Sequence, residues 1–271
     1  MKRSLHSRPA LSVVIPAYNE SERLPPFLER TVTFLDLRTS PYEIFVVDDG
    51  SRDNTAHVVE LFAASNPSVR LIRSAYNMGK GAAVRRGIQA AHGGLQLFAD
   101  ADGATPIEEL ERLERAIETG ADLAIGSRAL ASRSSTYTVK ARWHRSALGV
   151  LFNAVVQRLG LDGIQDTQCG FKLFRKTAAQ DLFSLAAVDG YGLDLELLYI
   201  AKRRGYRIAE IPVNWADQPG SKVRPFRDGL SMLRALLAVR RRDARGDYAI
   251  QRRPSPSLET RLSHIHRSHL P

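Results

Sequence analysis

The chain contains a single cysteine, Cys169, among 271 residues. That excludes an internal disulfide and any metal centre built on several cysteines, and it fits a reducing compartment. Long apolar runs are also missing. The longest, "ALGVLFNAVV", falls well short of the ~20 residues that span a bilayer, and it contains Asn153. The N-terminal "MKRSLHSRPALSVVIPAYNE" is basic but has no extended apolar region before a cleavage site, so no signal peptide is expected. Aromatic residues make up only 7%. The basic C-terminal end lacks the interleaved aromatics of a base-stacking platform, which argues against a nucleic-acid partner. Negative charge is scarce at that same end. Residues 222–271 hold 12 Lys or Arg against 4 Asp or Glu, so +8 of the net +10 lies there.

What is present is ordinary for a globular protein, with 44% hydrophobic and 25% charged residues. The length suffices for one large α/β domain or two small ones. Five short apolar runs read as strands: "LSVVIPA" (11–17), "EIFVVDD" (43–49), "VRLIRS" (69–74), "LQLFADA" (95–101) and "DLAIGSR" (122–128). Most are continuous rather than alternating, as in strands covered on both faces. Amphipathic segments separate them. "PIEELERLERAIETG" has Pro106 near its first turn, early acidic residues and Gly120 at its end, a helix with clear start and stop signals. This alternation predicts an α/β fold, a mostly parallel sheet flanked by helices, which binds ligands at the carboxyl ends of its strands. After Arg128 the rhythm breaks. "ALASRSSTYTVKARWHR" reads as a mobile loop and "SALGVLFNAVVQRLG" as an apolar helix. "LDLELLYIAKRRG" reads as a helix, "RIAEIPVNW" as a strand and "PFRDGLSMLRALLAVRRR" as a basic amphipathic helix, with a tail beyond about Asp247.

Polar residues gather where the strands stop: "PAYNE", "DDGSRDNT", "NMGKG", "DADG" and "GSR". Five such ends would meet at one edge of the sheet. Asp100 and Asp102 form an Asp-x-Asp pair whose hard oxygens suit Mg²⁺ or Mn²⁺, and a cation there would offset their mutual repulsion. A solvated surface turn is the bland alternative. Asp48 and Asp49 are placed to meet a base or ribose; the competing role is capping, with Asp49 or Ser51 closing the helix around Thr55. In "NMGKGAAVRRG" glycines at a helix start would offer N–H groups to an anion, with Lys80 as a diphosphate contact or as part of an ordinary helix start. It is not a Walker loop. Arg128 is either a fork for phosphate or a solvated arginine. Cys169 reads as a small buried hydrophobe.

Taken in order, "VVIPAYNE", "VVDDGSRD", "NMGKGAAVRRG", "DADGATP", "GSRA", "DTQCGFKLF", "LDLELLYIA" and "EIPVNWADQPGSKV" resemble the family 2 glycosyltransferases of the GT-A (Rossmann-like) fold. Within that family they are most similar to the polyprenyl- and dolichyl-phosphate β-glucosyltransferases. These segments span about three quarters of the chain. "VDDGS" occurs across the family, whereas "DADGAT" with "DTQCGFKLF" is specific to the glucosyl branch. Mannosyl relatives usually read "DADLQHP"; here Ala104 replaces the Gln, which removes one metal ligand.

The resemblance implies a GT-A domain over 11–221, an N-terminal extension over 1–10, a basic helix over 222–247 and a disordered tail over 248–271. Pro16, Ala17, Tyr18, Glu20, Asp48, Asp49, Lys80, Asp100, Ala101 and Lys222 would line the nucleotide-sugar site. Asp100 and Asp102 would hold Mg²⁺ or Mn²⁺. Arg128 and Arg145 would face the phosphate of a polyprenyl phosphate acceptor. Asp194, in a D-x-E segment with Glu196, would be the base if the acceptor were an alcohol; a carboxylate salt-bridged to Arg203 or Arg204 is the alternative. The expected reaction is inverting transfer of glucose from UDP-glucose to the lipid phosphate, by a cytoplasmic enzyme docked peripherally on the inner face of the membrane. Eukaryotic members of the branch carry an N-terminal anchor, so a bacterial or archaeal origin with undecaprenyl phosphate is expected. A soluble-acceptor glycosyltransferase and a nucleic-acid-binding protein using the basic end are the rival readings.

Overall fold

The computed structural model describes residues 8–140, 156–220 and 225–249. Within them a seven-stranded sheet runs in the order β3-β2-β1-β4-β7-β5-β8. The first five strands lie where the apolar runs predict: β1 Leu11–Ala17, β2 Tyr42–Asp48, β3 Val69–Arg73, β4 Leu95–Ala99 and β5 Leu123–Ser127. β1 and β2 are buried along their full length, because helices cover both faces. β8, Ile208–Pro212, pairs parallel with β5.

The strand over Phe171–Arg175, β7, is not among the predicted ones. It runs antiparallel to both β4 and β5 and separates them. Its alternation explains its place. Phe171 and Leu173 enter one core layer, while Phe174 enters the other. Lys172 points into that second layer and is fully buried.

Three helices build the first layer: α1 Leu24–Asp36, α2 Thr55–Ser65 and α4 Leu110–Glu118. α4 follows a single 3₁₀ turn over Ile107–Glu109, and Gly120 behind it takes φ +112°, so both predicted boundary signals act. Leu110, Leu113 and Ile117 form its buried stripe. The second layer holds α3 Lys80–Ala90, α6 Lys176–Leu185, α7 Leu193–Arg203 and α8 Pro225–Ala244. α8 is a packed helix of the domain. Leu236 and Val239 are fully buried, and Met232 and Leu233 lean on the same cluster.

Two predicted loops prove more ordered. Residues 129–140, read as part of a mobile loop, hold most of a short helix α5, Arg128–Ala131, and a strand β6, Val139–Lys140. β6 pairs with β9, Trp215–Ala216, so the polar sequence is held by a local ladder. Tyr248, placed in the tail, is fully buried and donates to Glu196 Oε1 at 2.8 Å. Most of the apolar helix read from Ser146 to Gly160 lies outside the described residues.

α3 crosses the sheet at close range. A Cβ on Gly87 would sit 2.3 Å from Val14 Cγ1 and 2.9 Å from Val47 Cγ2. Gly87→Ala is expected to overpack this contact and cost about 1–3 kcal/mol, read from urea denaturation.

Candidate active site

The carboxyl ends of β1, β2, β4 and β5 meet at one edge, and the loops there are sewn together through side chains. Asn19 has φ +52°, the left-handed region that Asn tolerates better than most residues. Its N–H donates to Ser51 Oγ at 2.8 Å and its Oδ1 accepts from Arg52 N–H at 2.8 Å. The β1 and β2 loops are thereby one unit. Pro16 and Ala17 are buried within β1, so only their exit toward Tyr18, which is half-buried, faces the site. Asp48 Oδ1 accepts from Ser51 N–H at 3.2 Å.

Asp49 does not cap α2. Its carboxylate accepts from Met78 and Gly79 N–H at 2.9 and 2.8 Å, which ties the β2 loop to the start of α3. Burial raises its pKa above the ordinary aspartate value, against the pull of those two donors. The N-cap position is Asn54, which makes no side-chain cap, and the first amide of α2 is met by Asp53, whose Oδ1 accepts from Thr55 N–H at 2.9 Å. Ser51 is engaged by Asn19 instead. The chain turns at Gly50 with φ +70°.

The glycines of "NMGKG" serve packing rather than an open anion site. A Cβ on Gly81 would lie 2.5 Å from Val188 O, and one on Gly79 2.4 Å from Asp189 O. Ala82 N–H donates to Asp189 O at 3.1 Å. The first turn of α3 is therefore closed by the 188–190 segment, and Lys80 supplies the positive charge.

Lys80 Nζ lies 2.6 Å from Asp100 Oδ1. Burial opposes its charge, but Asp100 and Asp194 overcome this and hold its pKa above the usual lysine value. Asp100 itself is fixed by β7. Its N–H donates to Gly170 O at 2.9 Å, and a Cβ on Gly170 would fall 1.9 Å from Asp100 Oδ2, so only glycine fits. Ala101 is buried, and Gly103 turns the chain with φ +63°. Asp102 Oδ1 accepts from Ala104 N–H at 3.1 Å. Its Oδ2 lies 3.8 Å from Arg23 Nη1. Burial, then the charge of Asp100, raises the Asp102 pKa. Arg23 also forks onto Glu20, with Nε–Oε2 at 2.7 Å and Nη2–Oε1 at 2.6 Å.

Beneath Lys80 the ring of Phe98 has a second cation near it. Lys80 Nζ is 5.1 Å from its centroid and Lys172 Nζ 5.8 Å. Lys172 donates to Asp194 Oδ1 at 2.6 Å and to Cys169 O at 2.5 Å. Asp194 is thus paired with Lys172, not with Arg203 or Arg204, which bind Asp243 and Asp181. At 3% exposure and already ion-paired, its carboxylate is placed to brace the floor rather than to take a proton from an acceptor. Glu196 faces away, accepting from Ala187 and Val188 N–H and from Arg242. Burial pushes the Cys169 thiol up to about 12, as suits an inert core residue.

Arg128 is less exposed to a ligand than its loop position implied. Its Nε and Nη2 fork onto Asp166 at 2.7 Å each, and its guanidinium carbon lies 5.3 Å from the Trp215 ring centroid. Burial would raise the Asp166 pKa, but the Arg128 charge and hydrogen bonds hold it below the ordinary value. Glu210 on β8 supports this pair by accepting from Ser127 Oγ and from Asp166 N–H, both at 2.7 Å. Among the described residues Arg128 Nη1 has no hydrogen bond, and the charge of Asp100 reaches it. Arg145 and Lys222 lie outside the described residues.

Sequence reading therefore missed Arg23, Asn19, Asp166, Lys172 and Glu210. Lys172 left a visible signal, a lysine inside an otherwise apolar "FKLF", which needs a buried anion. The others are partners across long sequence separations.

The donors present suit a divalent cation. Two carboxylates, Asp100 and Asp102, lie separated by one residue just beyond β4, and hard oxygens of this kind are the donors that Mg²⁺ and Mn²⁺ take. Among the described residues no group of three or more His, Cys, Asp or Glu converges, so a substrate or water must complete any such site.

A mostly parallel sheet with an acidic pair and two cations at its carboxyl edge is the arrangement of a glycosyltransferase. Residues 12–183 match the domain described as Glycosyl transferase family 2, and the chain belongs to that family. It is 40% identical over 254 residues to the dolichyl-phosphate beta-glucosyltransferase of Dictyostelium discoideum, covering 89% of this chain and 77% of that protein. The Homo sapiens protein of the same name is also 40% identical, with 89% and 78% covered. The fold resembles glucosyl-3-phosphoglycerate synthase from Mycobacterium tuberculosis crystallised with Mn²⁺, UDP-glucose and phosphoglyceric acid. That match has a TM-score of 0.62 at 21% identity, over 85% of this chain and 79% of the other. The GT-A fold expected from the sequence is the fold observed.

Breaking the buried pair tests the floor of the site. Lys172→Met is expected to cost about 3–5 kcal/mol by leaving Asp194 buried and unpaired, while Lys172→Met with Asp194→Asn recovers most of that loss in urea denaturation.

Proposed function

We propose that this protein is an inverting glycosyltransferase that moves glucose from UDP-glucose to a polyprenyl phosphate at a membrane surface. One observation carries the reading. The wall formed by Asp100 and Asp102, flanked by Lys80 and Arg23, lies within a chain about 40% identical to dolichyl-phosphate beta-glucosyltransferases along most of its length.

Tyr18 and Asp48 hold the nucleoside end of the donor, with Asp49 keeping the β2 loop and α3 in register. Lys80 contacts the diphosphate, joined by Lys222 from the segment beyond Gly220. Asp100 and Asp102 would hold a Mg²⁺ or Mn²⁺ ion, which would supply charge neutralisation for the departing nucleotide. Arg128, clamped by Asp166 and stacked on Trp215, directs its remaining edge at the acceptor phosphate, with Arg145 as its partner there. A phosphate monoester has its second pKa near ~6, so the acceptor oxygen is already ionised at neutral pH. It attacks the anomeric carbon from the face opposite the diphosphate, and configuration inverts. No protein base is required, which agrees with an Asp194 that is buried and paired. Positioning and electrostatic stabilisation carry the catalysis.

The lipid acceptor requires a docking face, and α8 offers one. Among the described residues no helix is long and apolar enough to cross a membrane. The outward side of α8 exposes Leu230 and Leu237 beside Arg234, Arg240, Arg241 and Arg245. Cations near an anionic surface contribute ~1 kcal/mol each, and the leucines add apolar insertion. This reading places the protein peripherally on the cytoplasmic face.

Incubation of purified protein with undecaprenyl or dolichyl phosphate, Mg²⁺ or Mn²⁺ and a panel of nucleotide sugars is expected to give lipid-linked glucose from UDP-glucose. Absence of a lipid-linked sugar with every donor overturns the proposal. Asp102→Ala is expected to lower turnover about a hundredfold or more. In vesicle sedimentation, Leu230→Asp with Leu237→Asp is expected to weaken binding to anionic vesicles while UDP binding persists.

A further inference from the structure

Each aspartate of the acidic pair already has its own resident cation. Lys80 meets Asp100 at 2.6 Å, and Arg23 faces Asp102 at 3.8 Å while forked onto Glu20. Arg23 is only 19% exposed, and its Nη1 also donates to Pro219 O at 3.2 Å. One guanidinium thus joins the β1 loop, the β4 loop and the segment leading toward Lys222. Its length and planar fork suit this bridging role.

Among the described residues, the charges paired with one another at this point are those of Asp100, Asp102 and Glu20 against Lys80 and Arg23. Together they leave one net negative charge. A divalent cation alone would turn that into one net positive charge, beside two cations that repel it. A nucleoside diphosphate sugar alone would add its two negative charges to an already acidic wall. Metal and diphosphate arriving together add no net charge. Like-charge and opposite-charge terms at these distances in a partly buried site amount to factors of about ten in affinity for each unit charge.

We propose that Arg23 is a positioning residue that makes divalent-cation binding conditional on the donor: it holds Asp102 and opposes the metal until the diphosphate brings its own charge. This rests on the reading of the site as a metal-assisted nucleotide-sugar site, and it adds a role for a residue outside the Asp-x-Asp motif. Glu20 is the complementary member. It orients the Arg23 fork and offsets one unit of its charge.

The two residues must therefore act in opposite directions. Removing Arg23 takes one positive charge from beside Glu20 and Asp102 and strengthens metal binding. Removing the charge of Glu20 leaves Arg23 uncompensated and weakens it. Loss of a merely structural salt bridge would damage the site alike from either side.

The test is direct titration of Mn²⁺ by electron paramagnetic resonance, with and without UDP, on the full chain. Wild type is expected to bind Mn²⁺ weakly alone and much more tightly with UDP. Arg23→Met is expected to bind Mn²⁺ alone about tenfold more tightly, with a smaller gain from UDP. Glu20→Gln is expected to shift the UDP-free affinity the opposite way. The double variant, in which both charges are gone, is expected to return near wild type, and Arg23→Lys to stay close to it. Unchanged Mn²⁺ affinity in both single variants, or a change of the same sign in both, overturns the role of Arg23. Failure of the wild type to bind Mn²⁺ even with UDP overturns the metal assignment itself, and this inference with it.

Discussion

A buried ammonium on the one antiparallel strand supports everything above it. Lys172 is fully enclosed, and a charge in that position demands a partner. Asp194 from α7 and the carbonyl of Cys169 supply it. The consequence is mechanical as well as electrostatic. β7 is held between β4 and β5, Gly170 is pressed against Asp100, and α7 is fixed below Phe98. Asp100 can then meet Lys80 at a set distance, and the second aspartate follows two residues later.

The same accounting of charge runs outward through the site. Acidic side chains collect at the carboxyl ends of the parallel strands, where the fold places ligands. Asp48 and Asp49 are met by backbone amides, whereas three others acquire a basic partner from a different element: Asp100 from α3, Asp102 from the β1 loop and Asp166 from the end of β5. The result is a surface that is nearly neutral at rest yet rich in both signs. Such a surface suits a ligand pair that is itself balanced, a divalent cation with a diphosphate. Arg128 follows the same pattern, held by Asp166 and Trp215 rather than free in a loop.

Much of the parallel core was legible from local pattern. Continuous apolar runs of five to seven residues announce β1 to β5, and the start and stop residues of α4 stand where they act. The Asp-x-Asp pair and the convergence of polar loops at one edge were legible for the same reason, since strand ends in a parallel sheet share a side. β7 was not. Its five residues sit in a region where the strand and helix rhythm had broken, and only pairing with two distant strands stabilises it. The start of α2 was misread because Asp49 is drawn away by amides of the α3 loop. The basic C-terminal helix was legible as amphipathic, with core packing and a membrane surface as the two alternatives, and its Leu236 and Val239 are in fact buried in the core.

By itself the sequence determined the class of the fold, the edge at which the polar strand ends gather and the acidic pair that stands there, because these depend on periodicity and on residues adjacent in the chain. The tertiary structure decided which cation answers each carboxylate. It turned Asp194 from a candidate base into a buried counter-ion and Arg128 from a loop arginine into a clamped fork. It also brought Arg23 to Asp102. Those pairings join residues from about twenty to almost eighty positions apart, and no local pattern encodes them. They follow from the cost of burying an unpaired charge, which is settled only when the chain has closed around it.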